Sequence, residues 1–401
     1  MRLVMTNDEF ILENRLLNTK ELALKKCPDG VDLKFCLQQI EGWQTASRKI
    51  PHWAKVSGLL FPPRISMEQC SSQLTAEYKC RVVEECLSKD KRRTLADLTG
   101  GLGIDFSFLA MLFDKALYVE KQSHLCEMAR KNFCCLGLDG VQVVCASAEN
   151  VELPSGLDLI FLDPARRDAA GRKVVALEDC SPNLVSMQDA LLASARMVMV
   201  KLSPMLDISE ALRRLKHVCE VHVVAVEGEC KELLFVLSAA ETHPLTFHCA
   251  ELSESGGYFV CGQSVCRTLP ELVPQSETLV GGWLHEPNAA ILKAHVQEAL
   301  AEECGLRKLH PQSNLYFSRE SLTQHQGLYR SFRIVGCSGF GKREMKDLLG
   351  DLKQANLTIR NFPSTVADLR KRLRLREGGD AYLFASTLSD GEKVLLRCVK
   401  P

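Results

Sequence analysis

The 401-residue chain contains no run of about 18 consecutive apolar residues, so a transmembrane helix is not expected. Its opening stretch, Met1 to Asp8, lacks the apolar core of a secretory signal, and a cytoplasmic location is the expectation. No two of the 18 cysteines are spaced C-x-x-C, and the ten histidines form no cluster with ligand spacing. Neither a zinc site nor any other metal is therefore expected. The cysteines are scattered through apparent core segments and read as reduced, mostly buried thiols. No sign of charge dominates either: 50 Lys and Arg balance 50 Asp and Glu. Global charge thus names no partner, and the distribution along the chain carries the information. The length admits roughly two to four domains.

What is present begins at Leu95. An apolar run leads to Asp97, then to Thr99-Gly100-Gly101-Leu102-Gly103, then to Asp105 and an apolar series at helical spacing (Ile104, Phe108, Leu109, Leu112). This reads as strand, tight loop, helix. Glycines in such a loop let the backbone approach a ligand closely. Glu120 ends the next apolar strand, and Asp163-Pro164-Ala165-Arg166 ends a later one. A dinucleotide-binding fold would also want an acid about 20 residues on, but its G-x-G-x-x-G fingerprint fails, because Phe106 stands where the third glycine belongs.

Residues 1–90 read as an N-terminal helical domain. Residues 91–238 alternate strand and helix, which predicts a parallel sheet covered on both faces. The expected strands are Thr94–Leu98, Ala116–Val119, Val141–Cys145, Leu157–Leu162, Met197–Lys201, Val221–Val226 and Leu233–Leu237. Asp97, Glu120 and Asp163 each fall at a carboxyl end, where ligands of such sheets sit. Residues 239–330 read as a small α+β module, with short strands at Pro244–Phe247, Gly257–Cys261 and Glu277–Val280 and a helix opened by Glu286-Pro287-Asn288. A helix from about Ser66 to Leu87 and another from Ser364 to Leu375 are also expected. Residues 331–401 read as a second α+β domain with fourteen Lys and Arg against eight Asp and Glu. Its densest cluster is Arg370-Lys371-Arg372-Leu373-Arg374-Leu375-Arg376.

Taken together, the chain resembles a bacterial family in which a class I S-adenosylmethionine-dependent methyltransferase core carries a ferredoxin-like module and a THUMP-like C-terminal domain. Asp97, Thr99, Gly101 and Gly103 match the first motif of that core, with Thr99 replacing a glycine. Further matching segments are Asp163 to Asp168, Lys201 to Asp207, Glu286 to Ile291 and Leu373 to Gly379. The resemblance implies an α/β fold with a seven-stranded Rossmann-like core and S-adenosylmethionine as cofactor. It implies that Thr99, Gly100, Gly101 and Gly103 cradle the methionine end, with Asp97 beneath and Asp105 just beyond. Glu120 would take the ribose hydroxyls, and Lys121, Ser147 and Ala148 would lie near the adenine.

Asp163, Pro164 and Arg166 form the expected catalytic corner. Nucleic-acid amino-methyltransferases carry an aromatic residue there for base stacking, and this chain has Ala165 and Arg166 instead. A guanidinium can stack on a base or grip phosphate, so Arg166 and Arg167 are candidate substrate contacts. Lys201 could hold an anionic substrate group or pair with Asp163. True THUMP domains bind RNA, and Arg370, Arg372 and Arg374 are the candidate phosphate contacts. RNA modification is the expected activity. A small-molecule or protein methyltransferase, and a cofactor-binding RNA-associated factor without catalysis, remain alternatives.

Overall fold

The computed structural model describes residues 5–165, 177–239, 244–253, 256–262, 270–274 and 278–401. The chain divides into two compact units, each assembled from separate stretches. One holds Met1–Leu202, Ser209–Val218 and Phe235–Thr242; the other holds Ser203–Ile208, Cys219–Leu234 and His243–Pro401.

The first unit begins with helices α1 (Asn7–Asn14), α2 (Thr19–Leu22), α3 (Leu33–Lys49), α4 (Pro51–Ala54), α5 (Arg64–Gln69) and α6 (Gln73–Cys86). Side-chain oxygens start several of them: Thr6 and Glu9 form a capping box at α1, and Asp32 caps α3. The single helix expected from about Ser66 to Leu87 is two. Ser72 turns its hydroxyl onto the Thr75 N–H as an N-cap, so α6 starts afresh and Cys70 to Ser72 form a corner. The helices share a core with the strand–helix alternation that follows. Trp53, Met67 and Ala76 pack with Ile104 and Phe108.

That alternation runs β1 (Thr94–Asp97), α7 (Ile104–Ala110), β2 (Lys115–Glu120), α8 (Ser123–Cys135), β3 (Val141–Cys145), β4 (Leu157–Leu162), α9 (Leu184–Ser194) and β5 (Ala195–Leu202). It continues as α10 (Ile208–Arg214), β6 (Val218–Val226) and β7 (Glu229–Leu237). Strands β1 to β5 are parallel, and the hydrogen-bonded order is β3-β2-β1-β4-β5-β7-β6. Every residue of β4 is buried, as expected of a parallel strand covered on both faces. The chain moves outward from β1 in both directions, to β2 on one side and β4 on the other. The switch point of the sheet therefore lies at the carboxyl end of β1, at Asp97.

In the second unit β8 (Thr246–Glu251) runs parallel to β6, and β9 (Gly257–Gly262) runs antiparallel to β8. A second sheet contains β10 (Trp283–Pro287), β11 (Arg307–Lys308), β12 (Tyr316–Ser318), β13 (Tyr329–Ser338), β14 (Asn356–Ile359), β15 (Ala381–Thr387) and β16 (Lys393–Val399). Their order is β11-β12-β10-β13-β16-β15-β14. Helices α11 (Ala289–Ala294), α12 (Gln297–Glu303), α13 (Lys342–Leu349) and α14 (Val366–Leu373) belong to this unit.

The strand expected at Glu277–Val280 is not formed: residues 278–280 are loop and turn, and Glu277 lies outside the described residues. Glu286-Pro287 does not open a helix but ends β10. Asn288 is the true N-cap, accepting from the Ile291 N–H at 3.1 Å. Glu286 is buried and receives Arg330 from β13 and Arg360 from the end of β14, each at 2.6 Å. It fastens three strands of the sheet.

The core of this sheet centres on Phe332, whose ring meets Tyr382 at 4.9 Å and Phe384 at 5.0 Å. Phe384 is fully buried. Phe384→Ala should lower the stability of the full chain by about 3–5 kcal/mol, read from the transition that chemical denaturation assigns to the second unit. A loss under about 1 kcal/mol would show that the site collapses freely.

Candidate functional site

Three acids arrive together because three neighbouring parallel strands end together. Asp97 closes β1, Glu120 closes β2, and Asp163 follows β4, with Asp97 in register with Tyr118 and Phe161. The loop from Leu98 to Gly103 turns across them. Its shape is dictated by rings beneath it. A Cβ at Gly100 would stand 2.1 Å from Tyr118, which no side chain tolerates. Gly103, at φ 75°, is the left-handed N-cap of α7, and a Cβ there would meet Phe133 at 2.8 Å. Tyr118, Phe106 and Phe133 pack edge-on or tilted at 4.9–5.3 Å, and the Tyr118 hydroxyl donates to the Gly101 carbonyl at 2.5 Å.

Thr99, the one residue out of keeping with an all-glycine loop, has a structural reason to be there. Its N–H donates to Asp97 Oδ1 at 2.9 Å, and its hydroxyl accepts the Asp163 N–H at 2.6 Å. A glycine could not make the second bond, which ties the end of β1 to the end of β4. Glu120 is equally fixed. One carboxylate oxygen accepts from Gly101 N–H at 3.0 Å and the other from Gln122 N–H at 2.8 Å. Each oxygen retains a lone pair for a further donor.

A cavity of about 250 Å³ opens over this loop. Besides residues 99–103, it is lined by Cys70, Ser71, Asp97, Asp105, Asp163 and Lys201. Lys79 and Ser71 are the functional residues that sequence reasoning missed. Lys79 projects from α6 with no exposure at all, and its ammonium lies 3.2 Å from Asp105 Oδ1. The Ser71 hydroxyl, held at the corner before α6, donates to Asp105 Oδ2 at 2.6 Å. Lys201, from β5, pairs closely with Asp163 and stands 3.8 Å from Asp105. The ammonium of Lys201 thus reaches a protein carboxylate rather than standing alone in the cavity.

The two buried acids respond in opposite directions. Burial, against the opposing Thr99 N–H, pushes Asp97 up to about 8, and the nearby carboxylates add to the rise. Burial would also raise Asp105, but Lys79, then Lys201 and the Ser71 hydroxyl outweigh it, and its carboxyl is held below the ordinary value. Lys79 meets Oδ1 at ion-pair distance, and this carboxylate oxygen has a second lone pair beside the cavity.

Of the other expected cofactor contacts, Ala148 is buried and Ser147 half-buried in the turn after β3, while Lys121 is exposed with its ammonium 3.5 Å from the Ser181 hydroxyl. Pro164 is buried, and Ala165 exchanges backbone hydrogen bonds with Ser181 at 2.8 and 3.0 Å. Arg166 and Arg167 lie outside the described residues.

In the second unit, Arg370, Arg372 and Arg374 do not form one uniform basic face. Arg370 is half-buried and faces Glu377 at 3.4 Å, and Arg372 donates to the Phe340 carbonyl at 3.2 Å. Helix α14 is shorter than the expected Ser364–Leu375 and ends at Arg374, which takes the left-handed cap at φ 55°. Lys371, Arg372, Arg374 and Arg376 are exposed.

The THUMP domain-like family matches residues 329–400, and a ferredoxin-like domain family matches residues 283–324. The crystal structure of a candidate methyltransferase from Porphyromonas gingivalis W83 is similar to the whole chain: 31% identity, 98% of this chain and 97% of that one covered, TM-score 0.81. A candidate class I S-adenosylmethionine-dependent methyltransferase from Listeria monocytogenes shares 9% identity over 62% of this chain and 92% of its own, with a TM-score of 0.38. An rRNA methylase from Streptococcus thermophilus shares 15% over 38% of this chain and 93% of its own, TM-score 0.28. No curated protein matches.

The raised Asp97 carboxyl makes stability depend on pH. The folded state holds its proton more tightly than the unfolded chain, where an ordinary aspartate titrates near 4. Its contribution is therefore full below about pH 4 and is lost as pH rises through about 8. Asp97→Asn is neutral throughout. The melting temperature of the wild type minus that of Asp97→Asn should fall steadily between about pH 4 and pH 9. A constant difference would mean that Asp97 titrates in the fold as it does in the unfolded chain.

Proposed function

Because the chain belongs to the family of the Porphyromonas gingivalis protein, with a class I core and ferredoxin-like and THUMP-like parts, we propose that it is an S-adenosylmethionine-dependent methyltransferase that acts on RNA. The observation that carries the reading is the main-chain cradle from Thr99 to Gly103 facing Asp97, Asp105 and Asp163 across one small cavity. The residues suit the cofactor's methionine end. Asp105 is a buried carboxylate lining the cavity, and its Oδ1, ion-paired with Lys79, has a second lone pair for an ammonium donor. Asp97 adds a second acid beneath the loop. The cavity, about 250 Å³, is small for a whole nucleoside-bearing ligand, so the nucleoside would extend along the strand ends beyond it.

There Glu120 would receive the two ribose hydroxyls on its remaining lone pairs, and Ser147, Ala148 and Lys121 would border the adenine. When bound, the cofactor supplies an electrophilic methyl group, whose transfer requires alignment of donor and acceptor more than acid–base assistance. Asp163 and the Pro164 carbonyl would accept hydrogen bonds from the group to be methylated and aim its lone pair. Lys201 pairs with Asp163 and orients it, so it acts through Asp163. Arg166 and Arg167 are proposed to meet the substrate backbone or base, and the exposed Lys371, Arg374 and Arg376 to meet phosphates. One observation favours a smaller or protein substrate: Arg370 is half-buried against Glu377, which thins the basic surface.

Calorimetric titration with S-adenosylhomocysteine should show binding to the wild type and none to Gly100→Ala, whose added methyl must displace the loop or Tyr118. Asp163→Asn should leave that affinity within a few-fold and lower methyl transfer to total RNA from cells lacking the gene by about 10²–10⁴. Absence of wild-type binding would end the cofactor reading. Undiminished transfer in Asp163→Asn would assign that residue to structure.

The RNA reading separates from the alternative by salt. Affinity for the same total RNA should fall with ionic strength with a log–log slope of about −0.7 per phosphate contact. Replacing Lys371, Arg374 and Arg376 with Gln should flatten the slope without lowering the melting temperature. Salt-independent or undetectable binding by the wild type would favour the smaller or protein substrate.

A further inference from the structure

Away from the strand-end acids, the second unit brings together three metal-ligating side chains that are dispersed in sequence. Strands β6 and β8 are parallel neighbours, with Glu220 paired to Thr246 and His222 to His248. Because strand residues two apart face the same side, Glu220, His222, Thr246 and His248 share one face of the sheet. The two imidazoles stack at 4.3 Å between centroids and 25° between planes. His222 Nε2 lies 2.9 Å from Glu220 Oε2, and His248 Nε2 lies 3.9 Å from the same oxygen. The ligand atoms of the three residues all fall within 4.8 Å of one another.

We propose that Glu220, His222 and His248 form a binding site for a divalent transition metal, zinc by its donor set, that clamps β6 to β8. This inference is independent of the methyltransferase reading. Two nitrogens and one carboxylate oxygen are a common zinc set. Ligands at the usual zinc distances stand about 3.4 Å apart in a tetrahedron, and the observed 2.9 and 3.9 Å separations bracket that value. The third separation lies within 4.8 Å, and the two stacked imidazoles must tilt apart for both nitrogens to face one ion.

Two further features support it. A metal-bound histidine is normally oriented through its second nitrogen. His248 Nδ1 lies 2.6 Å from the Tyr258 hydroxyl on β9, which leaves Nε2 turned toward Glu220 and His222. The Thr246 hydroxyl now stands 3.0 Å from that Nε2, and it has the Cys219 carbonyl 3.5 Å away to turn to when a metal takes the nitrogen. Glu220 is about one-quarter exposed (26%), so a metal and a water have a way in while His222 stays fully buried.

The test uses the full chain, stripped of metal with a chelator and titrated with zinc against a competing chelator. One zinc per chain is expected, with a rise in melting temperature that His248→Gln and Glu220→Gln lose. Tyr258→Phe should weaken binding by about 10–100-fold, as loss of an orienting partner does. Substituting cobalt should give a visible band without thiolate charge transfer, which distinguishes this site from metal caught on the many cysteines. If the buried His248→Gln fails to fold, the partly exposed Glu220→Gln gives the same readout. The proposal is overturned if the stripped wild type binds no zinc. It is also overturned if a folded variant retains wild-type affinity, or if the cobalt spectrum shows thiolate ligands.

Discussion

Lys79 enters the protein interior from the middle of α6 and is left with no exposure, against Asp105 at the first turn of α7. A buried ammonium is tolerable only with a carboxylate beside it, and a buried carboxylate only with cations and donors. Asp105 has Lys79 on one oxygen, the Ser71 hydroxyl on the other, and Lys201 at the edge of reach. Lys201 passes the compensation on to Asp163 at the exposed rim. Removing either member of a buried pair of this kind typically costs about 3–5 kcal/mol, because the remaining charge has nowhere to go. The strand-end cavity is thus built on an ion network running from the N-terminal helices to the sheet. Asp97, which lies outside that network, keeps its proton far above the ordinary range.

The same helices also fix the loop by packing. Trp53 donates from its indole to Ser107 on α7 at 3.1 Å, and Asn132 on α8 exchanges hydrogen bonds with the backbone of Leu60 at 2.8 and 2.9 Å. Helices α7 and α8 carry Phe106 and Phe133, the rings that meet Tyr118 beneath Gly100 and Gly103. Side chains in the first hundred residues therefore reach the glycine loop twice, once through charge and once through packed rings. A backbone that must present its N–H groups at fixed positions needs such support, since glycines confer no rigidity of their own.

The parallel core was readable because strands buried on both faces appear as unbroken apolar runs, and acids closing such runs must fall at one edge of the sheet. Lys79 was not readable. Its spacing in α6 is that of an ordinary amphipathic helix, and nothing local distinguishes a lysine aimed at a buried aspartate from one in solvent. The corner at Ser71 was hidden for a similar reason, since the apolar period continues across it. Strands β11 and β12, of two and three residues, are too short to show any period. Glu286 stood in a segment that matched a known family, yet its partners lie 44 and 74 positions onward, which no spacing argument reaches. The register of β6 against β8 likewise sets His222 beside His248 only once the sheet forms.

The two units are each made of three stretches, and the chain passes between them at Leu202, Ile208, Val218, Leu234 and Thr242. No single cleavage of the backbone separates them. During synthesis, the first unit is incomplete until Phe235–Thr242 has left the ribosome, while fragments of the second, Ser203–Ile208 and Cys219–Leu234, are already out and lack most of their partners. Those fragments are apolar: Val221, Val223, Val224 and Ala225 end up wholly buried. Strand β6 lacks its neighbour β8 until Thr246–Glu251 has emerged, and most of the 159-residue last stretch of the second unit, His243–Pro401, is still to come at that point. The interleaved order ties the folding of both units to one biosynthetic clock, and the nascent chain during that interval is the species most open to aggregation or chaperone capture.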